Sequence, residues 1–332
     1  MASWDAPRNG RATVMSDFGF GPLSYGAANV GNLYRPLTDD QAQAVLETAW
    51  QTGIRYFDTA PHYGLGLSEL RVGHFLATKP RDQFIVSTKV GRLLRPNPEG
   101  LGRLDAANDF AVPADLKRVW DFSADGIRRS LDESLARLGL DSVDILYLHD
   151  PEKYDLTLGI SAGIPALAAL RDEGLVSAIG VGSMSVAALL ESVRSDALDL
   201  LMVAGRFTLV EQPALAEVIP ECRRKGIGVV NSSVFNSGLL ASNNLGTHSR
   251  YEYGEVPPQL LARTKDIAGV CAQYDVELPA AALQYTLRER AVRTVVVGAS
   301  TSEQIQQNAE RMMVTIPDDM WRTLAAKGLI AE

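Results

Sequence analysis

The chain has 332 residues, 46% of them hydrophobic and 22% charged, with a formal net charge of −8. That balance belongs to a globular protein able to bury the core of one α/β barrel or of two ordinary domains. An acidic chain without a basic patch argues against a nucleic-acid partner, and two cysteines, Cys222 and Cys271, are too few for a disulfide framework or a zinc site.

No apolar run approaches the roughly 20 residues of a membrane span. The N-terminal Met-Ala-Ser-Trp-Asp does not open a secretory signal, so the cytoplasm is the expected compartment, with no membrane partner. Both cysteines fall in helix-like stretches and read as packing thiols.

In chain order, residues 1–17 read as a short N-terminal extension, a hairpin candidate for closing a barrel floor. Phe18–Leu23 is the first strand candidate. A helix follows over Thr38–Gln51, where Thr38-Asp39-Asp40 brings a capping oxygen and negative charge to the free N–H groups. Gly53 then suits a left-handed cap. Ile54–Asp58 and Phe84–Lys89 are continuous apolar runs, the pattern of strands buried on both faces. After them, Arg92–Asp121 is a long stretch rich in Pro, Gly and Asn. Loops of this length in compact domains are usually lids or binding loops, so it is expected to cover the barrel mouth.

The second half keeps the alternation. A helix over Ser123–Leu138, capped by Ser123 and Gly139, leads to the strand Val143–His149. Helices over Ile164–Glu173, Val186–Arg194 and Pro213–Lys225 alternate with strands Ala178–Gly182, Leu200–Ala204 and Gly228–Ser232; Gly174 and Gly226 punctuate the ends. Thr294–Gly298 is the last strand candidate. Eight strands alternating with helices and no internal linker predict one (β/α)8 (TIM) barrel over residues 1–332, with a short N-terminal extension and a long loop after the third strand.

Four residue types stand at or just past the ends of these strands: Asp58 and Tyr63 in Tyr-Phe-Asp-Thr-Ala-Pro-His-Tyr-Gly, Lys89 in Ser-Thr-Lys-Val-Gly, and His149 in Tyr-Leu-His-Asp-Pro. Barrel sites occupy that C-terminal face. A tyrosine beside an ammonium has its phenolate stabilised and its pKa drawn down from about 10. Carbonyl reduction and alcohol oxidation both need such a proton carrier. An Asp–Lys pair or a strand-end histidine is, taken singly, more often structural; all four on one face point to chemistry. Tyr25, His62, Trp120 and Phe122 are candidate substrate walls, while His74 and His248 read as surface or packing residues.

These residues resemble the aldo-keto reductases. The likeness runs from Gly19-Phe20-Gly21 to the Asp318-Asp319-Met320-Trp321 helix. It is carried by Tyr56-Phe57-Asp58-Thr59-Ala60 with Tyr63-Gly64, by Ser87-Thr88-Lys89, by Ser134-Leu135-Ala136-Arg137-Leu138-Gly139 and by Val143–His149. The resemblance implies Tyr63 as general acid/base, Lys89 as the cation that lowers its pKa, Asp58 as the partner orienting Lys89, and His149 as a hydrogen-bond partner of the substrate oxygen. Local phrases such as Gly31-Asn32-Leu33-Tyr34 and Gly205-Arg206-Phe207-Thr208-Leu209 are similar to bacterial NAD-dependent L-fucose or D-threo-aldose 1-dehydrogenases and to pyridoxal 4-dehydrogenases.

No Rossmann fingerprint is present, since Gly19-Phe20-Gly21 lacks a third glycine and a following helix start. The cofactor segment the resemblance implies is Gly298-Ala299-Ser300-Thr301, running into a helix with Gln304, Gln307 and Asn308; Gly21 and Asp58 are further candidate contacts. Family members that bind NADP carry a lysine at Gly298 and an arginine at Gln304. Without those cations a 2′-phosphate loses charge-assisted bonds, so NAD is expected rather than NADP. The usual nicotinamide clamp is thinned, reading Gly182-Ser183, Ala204 and Ser232, with Ser183, Arg206 and Asn231 as candidate replacements.

The reaction these readings favour is oxidation of an aldose at C1 to a lactone. The alternatives are pyridoxal oxidised through its internal hemiacetal, an NADPH-dependent carbonyl reductase, and a non-catalytic nicotinamide-sensing subunit. The expected partner is a small molecule, in a monomer or small homo-oligomer.

Overall fold

The computed structural model describes residues 18–245, 250–251 and 254–331; the extension 1–17 and His248 lie outside them. Eight parallel strands close into a barrel. They are β1 (Leu23–Gly26), β2 (Tyr56–Asp58), β3 (Ile85–Val90) and, after the antiparallel hairpin β4 (Arg92–Pro96) and β5 (Leu116–Trp120), β6 (Val143–His149), β7 (Val176–Ser183), β8 (Leu200–Ala204) and β9 (Gly228–Ser232). Past the short pair β10 (Arg250–Tyr251) and β11 (Gly254–Glu255), β12 (Val292–Val297) pairs with both β9 and β1, which closes the ring.

The helices form where caps predict them. Thr38 and Gln41 build a reciprocal capping box on the helix Asp39–Gln51, and Ser123 caps Ala124–Leu138. Gly139, Gly174 and Gly226 all carry positive φ at helix ends. The stretch 213–225 is not one helix: a 3₁₀ turn, Pro213–Leu215, precedes the helix Val218–Lys225.

Two further expectations need correction. The first strand is Leu23–Gly26, not Phe18–Leu23. Gly19 takes φ 54° and Pro22 has no N–H to give a ladder, so the earlier residues cannot extend the strand. Phe18 and Phe20 instead stack on each other (5.4 Å) and Phe20 packs on Tyr56 (5.4 Å), against the interior layer Tyr56, Ile145, Tyr147, Ala178, Leu200, Met202, Val230 and Val296. The stretch Arg92–Asp121 is not structureless either. Its ends pair as β4 and β5, and its middle is tied by bridges Leu33–Phe110 and Leu104–Pro113. Leu65, Leu94, Phe110 and Val112 give this flap a small core of its own, against which Tyr63 packs.

Candidate active site

Side chains alternate in and out along a strand, so the interior layer fixes which residues face the barrel axis one step higher. At the C-terminal rim these are Asp58, Lys89 and His149 on β2, β3 and β6. On the other five strands they are Gly182, Ala204, Ser232, Gly298 and Gly26. One side of the mouth therefore carries the ionisable groups, and the other is lined by residues with almost no side chain.

The ionisable side is tightly wired. Lys89 is 1% exposed, and its ammonium donates to Asp58 Oδ2 (2.5 Å), Thr59 O (3.1 Å) and the Tyr63 hydroxyl (3.0 Å), which uses all three of its N–H groups. Ser87 donates to the other oxygen of Asp58 (2.6 Å) and meets the Tyr56 hydroxyl (2.9 Å). A buried ion pair of this kind is tolerable only when its remaining valences are satisfied, as they are here. Tyr63 is set by backbone as well. It precedes Gly64, at φ 63°, where an added Cβ would lie 2.1 Å from Gly31 O, so only glycine lets the two loops touch.

Electrostatics correct one expectation. Burial raises the Tyr63 pKa, and Lys89, although it lowers it, does not fully offset that and the nearby Asp58. Burial depresses Lys89, but Asp58 and Tyr63 outweigh it, so the ammonium titrates above its ordinary value. Tyr63 thus rests as a phenol beside a permanent cation. Burial, then Arg92 and Lys89, hold His149 well below its usual range. Burial, with Arg92 and Arg118, takes His62 down to about 2. Both imidazoles are neutral, with rings 5.5 Å apart and 5.9 and 6.1 Å from Tyr63.

Of the proposed substrate walls, His62 joins the cluster, its ring 5.5 Å from His149 and 6.1 Å from Tyr63. Trp120 stacks on Tyr154 and against Phe122 at its edge, with Arg92 4.3 Å from its ring. Phe122, 1% exposed, is packing beneath this wall. Tyr25 is not a wall: it faces out from β1, fully buried, and donates to Ala299 O (2.9 Å).

Cofactor candidates divide similarly. Gly21 is a correction, because it precedes β1 at the floor, the opposite end from Tyr63. Asn231 is another: it faces outward with Val229, fully buried, giving its amide to Phe207 O (2.8 Å). Ser183 donates to Glu152 (2.7 Å) and accepts from the Ser185 amide. Arg206 lies past β8, next to Tyr251. Gly298, Ser300 and Gln304 do share the rim, at the start of the helix Ser302–Met313. Gln307 on that helix is exposed, and Asn308 is buried. Sequence reasoning missed Ser87, Arg92, Phe110, Arg118 and Asp150. Ser87 sat in the Ser-Thr-Lys phrase two residues before Lys89, the spacing that puts both on one strand face.

The small-residue side fits the flat ring of a nicotinamide. Five neighbouring strands offer no side chain larger than serine, and an added Cβ at Gly298 would meet Asn29 Oδ1 at 2.4 Å. Among the described residues, no group of three or more His, Cys, Asp or Glu side chains is placed to hold a metal, and no helix is long and apolar enough to cross a membrane.

Comparison with known proteins agrees with this geometry. Residues 22–328 match the Aldo/keto reductase family. The chain belongs to it. Over 93% of its length it is 58% identical to a D-threo-aldose 1-dehydrogenase of a Pseudomonas species, covering 94% of that protein. It is 35% identical to a pyridoxal 4-dehydrogenase of Microbacterium luteolum, covering 93% of this chain and 94% of that one. A glycerol dehydrogenase of Gluconobacter oxydans shares the fold, with a TM-score of 0.75 at 20% identity over 95% of both chains. As an aldo/keto reductase the chain is an oxidoreductase that works with a nicotinamide cofactor.

Proposed function

We propose that this enzyme oxidises the anomeric carbon of an aldose to a lactone with NAD⁺, using Tyr63 as the base. The observation that carries it is the Lys89 ammonium, held by Asp58 and in contact with the Tyr63 hydroxyl. A bound nicotinamide supplies the acceptor for the hydride that leaves C1. Tyr63 acts from its phenolate, the form that Lys89 stabilises and that the resting phenol reaches by first losing its own proton. The phenolate takes the C1 hydroxyl proton as the hydride leaves, and the C1–O bond becomes the carbonyl of the lactone. His149, kept neutral by its surroundings, holds the C1 oxygen by a hydrogen bond.

The substrate class follows from charge as well as from the 58% identical relative. Three cations surround the pocket, and each has its own carboxylate: Lys89 with Asp58, Arg92 with Asp150, Arg118 with Asp105. None of these three keeps an unpaired charge for a phosphate or carboxylate, so an uncharged polyol suits the site. NAD is favoured over NADP because position 304 carries an uncharged glutamine, its Oε1 taken up by the Ser300 amide (2.8 Å), and so offers no cation to a 2′-phosphate. The Arg35 guanidinium, at the same rim, donates to Ser300 O (2.9 Å).

The test is NADH formation with a panel of aldoses and with pyridoxal, repeated with NADP⁺ and with Tyr63→Phe. Aldose turnover with NAD⁺ that disappears in the variant supports the proposal. Turnover of pyridoxal alone would move the substrate to the other cyclic hemiacetal, and NADPH-dependent reduction of simple aldehydes alone would overturn it.

A further inference from the structure

Asp150 has no part in the chemistry described so far, yet its backbone makes a sharp turn at the rim. It follows His149 with φ 44° and ψ 58°, the left-handed conformation that Asp and Asn adopt more readily than other side chains. Its amide donates to Gly182 O (2.9 Å), which ties this turn to β7. The consequence is a carboxylate turned back over the mouth. Oδ2 lies 2.6 Å from the Arg92 guanidinium and 3.6 Å from His149 Nε2.

Arg92 is equally specific in its placement. It is 6% exposed and lies over Trp120, and its Nε is buried without a hydrogen-bond partner. His62 Nδ1, in the same cluster, is also buried and unpartnered. Orphaned buried polar atoms are rare in native structures, and at a pocket they mark where a ligand's own polar groups belong. A carboxylate that only accepts and a guanidinium N–H that only donates together match one kind of group, a hydroxyl, which does both.

We infer that Asp150, braced by Arg92, recognises the hydroxyl on the carbon next to the one oxidised, and so makes the enzyme selective for 2-hydroxylated hemiacetals. The inference rests on the aldose reading above. With the C1 oxygen between Tyr63 and His149, a vicinal hydroxyl falls toward the carboxylate that lies 3.6 Å from His149. Asp150 is partly desolvated, with 21% side-chain exposure, so a bond to it discriminates more than one made in water. A site built to hydrogen-bond a substrate hydroxyl rejects the analogue that lacks it, since its buried partners are then left unpaired.

The experiment compares kcat/KM for an aldose and its 2-deoxy analogue in the wild type and in Asp150→Asn. Asparagine tolerates the left-handed backbone and keeps the shape, while the substitution removes the charge and turns one acceptor oxygen into a donor. The wild type should prefer the hydroxylated sugar by about 10²-fold, the scale of one hydrogen bond to a charged acceptor. In Asp150→Asn the preference should collapse to within a few-fold, through loss on the aldose and little change on the deoxy sugar. Arg92→Lys, which keeps the charge but removes Nε, should narrow the ratio in the same direction. Binding of both sugars to the NADH-saturated protein, followed by calorimetry, gives the same comparison without turnover.

A ratio unchanged by Asp150→Asn, with both sugars slowed alike or the pH profile displaced, would mean that Asp150 acts only on His149 and Tyr63 and would overturn the inference. That result would leave aldose oxidation intact. If no aldose were oxidised at all, the proposed function would fall first, and the calorimetric ratio would decide the role of Asp150 separately.

Discussion

Lys89 Nζ stands 3.0 Å from the Tyr63 hydroxyl and 2.5 Å from Asp58 Oδ2, so one ammonium serves both stability and chemistry. The two roles separate by mutation. Lys89→Met leaves the Asp58 carboxylate buried and uncompensated, which should cost about 3–5 kcal/mol. Adding Asp58→Asn removes that charge and should restore most of the stability in denaturant unfolding, while hydride transfer stays low in both. Recovery of activity in the double variant would show that the cation is not needed by Tyr63. Tyr63→Phe alone should lose roughly 10²-fold or more in rate with an unchanged unfolding midpoint.

The two neutral histidines make stability depend on pH. His62 and His149 titrate below the ordinary histidine value, chiefly because burial penalises their charged forms. The unfolded chain binds their protons near pH 6.5 and the folded one does not, so stability is complete above that value and falls as pH drops. Each histidine should contribute a slope of roughly 1.4 kcal/mol per pH unit below about 6. Urea unfolding of the wild type and His62→Gln between pH 7 and pH 5 isolates one of these slopes, because the carboxylate background cancels in the difference. Parallel curves for the two proteins would contradict the assignment.

The barrel was legible because its strands are unbroken apolar runs between capped helices, and the cluster because Asp58, Lys89 and His149 stand at the ends of such runs and Tyr63 just past the first of them. What escaped depended on facing and on long-range contact. Asn231 and Ser232 are adjacent, yet only the strand parity set by Val230 shows which faces the axis. Phe110, 47 positions beyond Tyr63 in the chain, reaches that ring (6.3 Å between centroids) only because β4 and β5 fold the Arg92–Asp121 stretch back. Gly21 misled because the resemblance alone offered it as a contact, and only the direction of β1 shows that it lies at the floor.

Cofactor choice should respond to one side chain. Gln304 lies in the first turn of the helix Ser302–Met313, where its Oε1 accepts from Ser300 N (2.8 Å). Gln304→Arg frees that amide and adds a guanidinium at a helix N-terminus already suited to anions. The expected result is a KM for NADP⁺ lower by about tenfold, one to two charge-assisted bonds' worth, with little change for NAD⁺. Gly298→Lys should do less by itself, since its Cβ meets Asn29 Oδ1 at 2.4 Å and that side chain must first move. Titration by quenching of protein fluorescence with each cofactor would check both. Equal NADP⁺ affinity in wild type and Gln304→Arg would place the adenosine ribose elsewhere.

Glu69 tests what anchors the catalytic strand from behind. Fully buried on the helix Leu67–Leu76, it accepts from Thr88 Oγ1 (2.6 Å) on the outer face of β3 and from Arg137 Nε (2.6 Å) on the helix Ala124–Leu138. One carboxylate thus joins two helices to the strand that carries Lys89 on its other face. Glu69→Ala strands the Arg137 charge, of which 18% is exposed, and leaves a cavity, for a cost of about 3–5 kcal/mol in denaturant unfolding. Because Thr88 and Lys89 are consecutive, the loss should also reach the site: kcat should fall by a larger factor than the KM for NAD⁺ changes. A stability loss with kcat intact would mean that β3 holds Lys89 through Asp58 and Thr59 alone, and that the support behind the strand contributes only to folding.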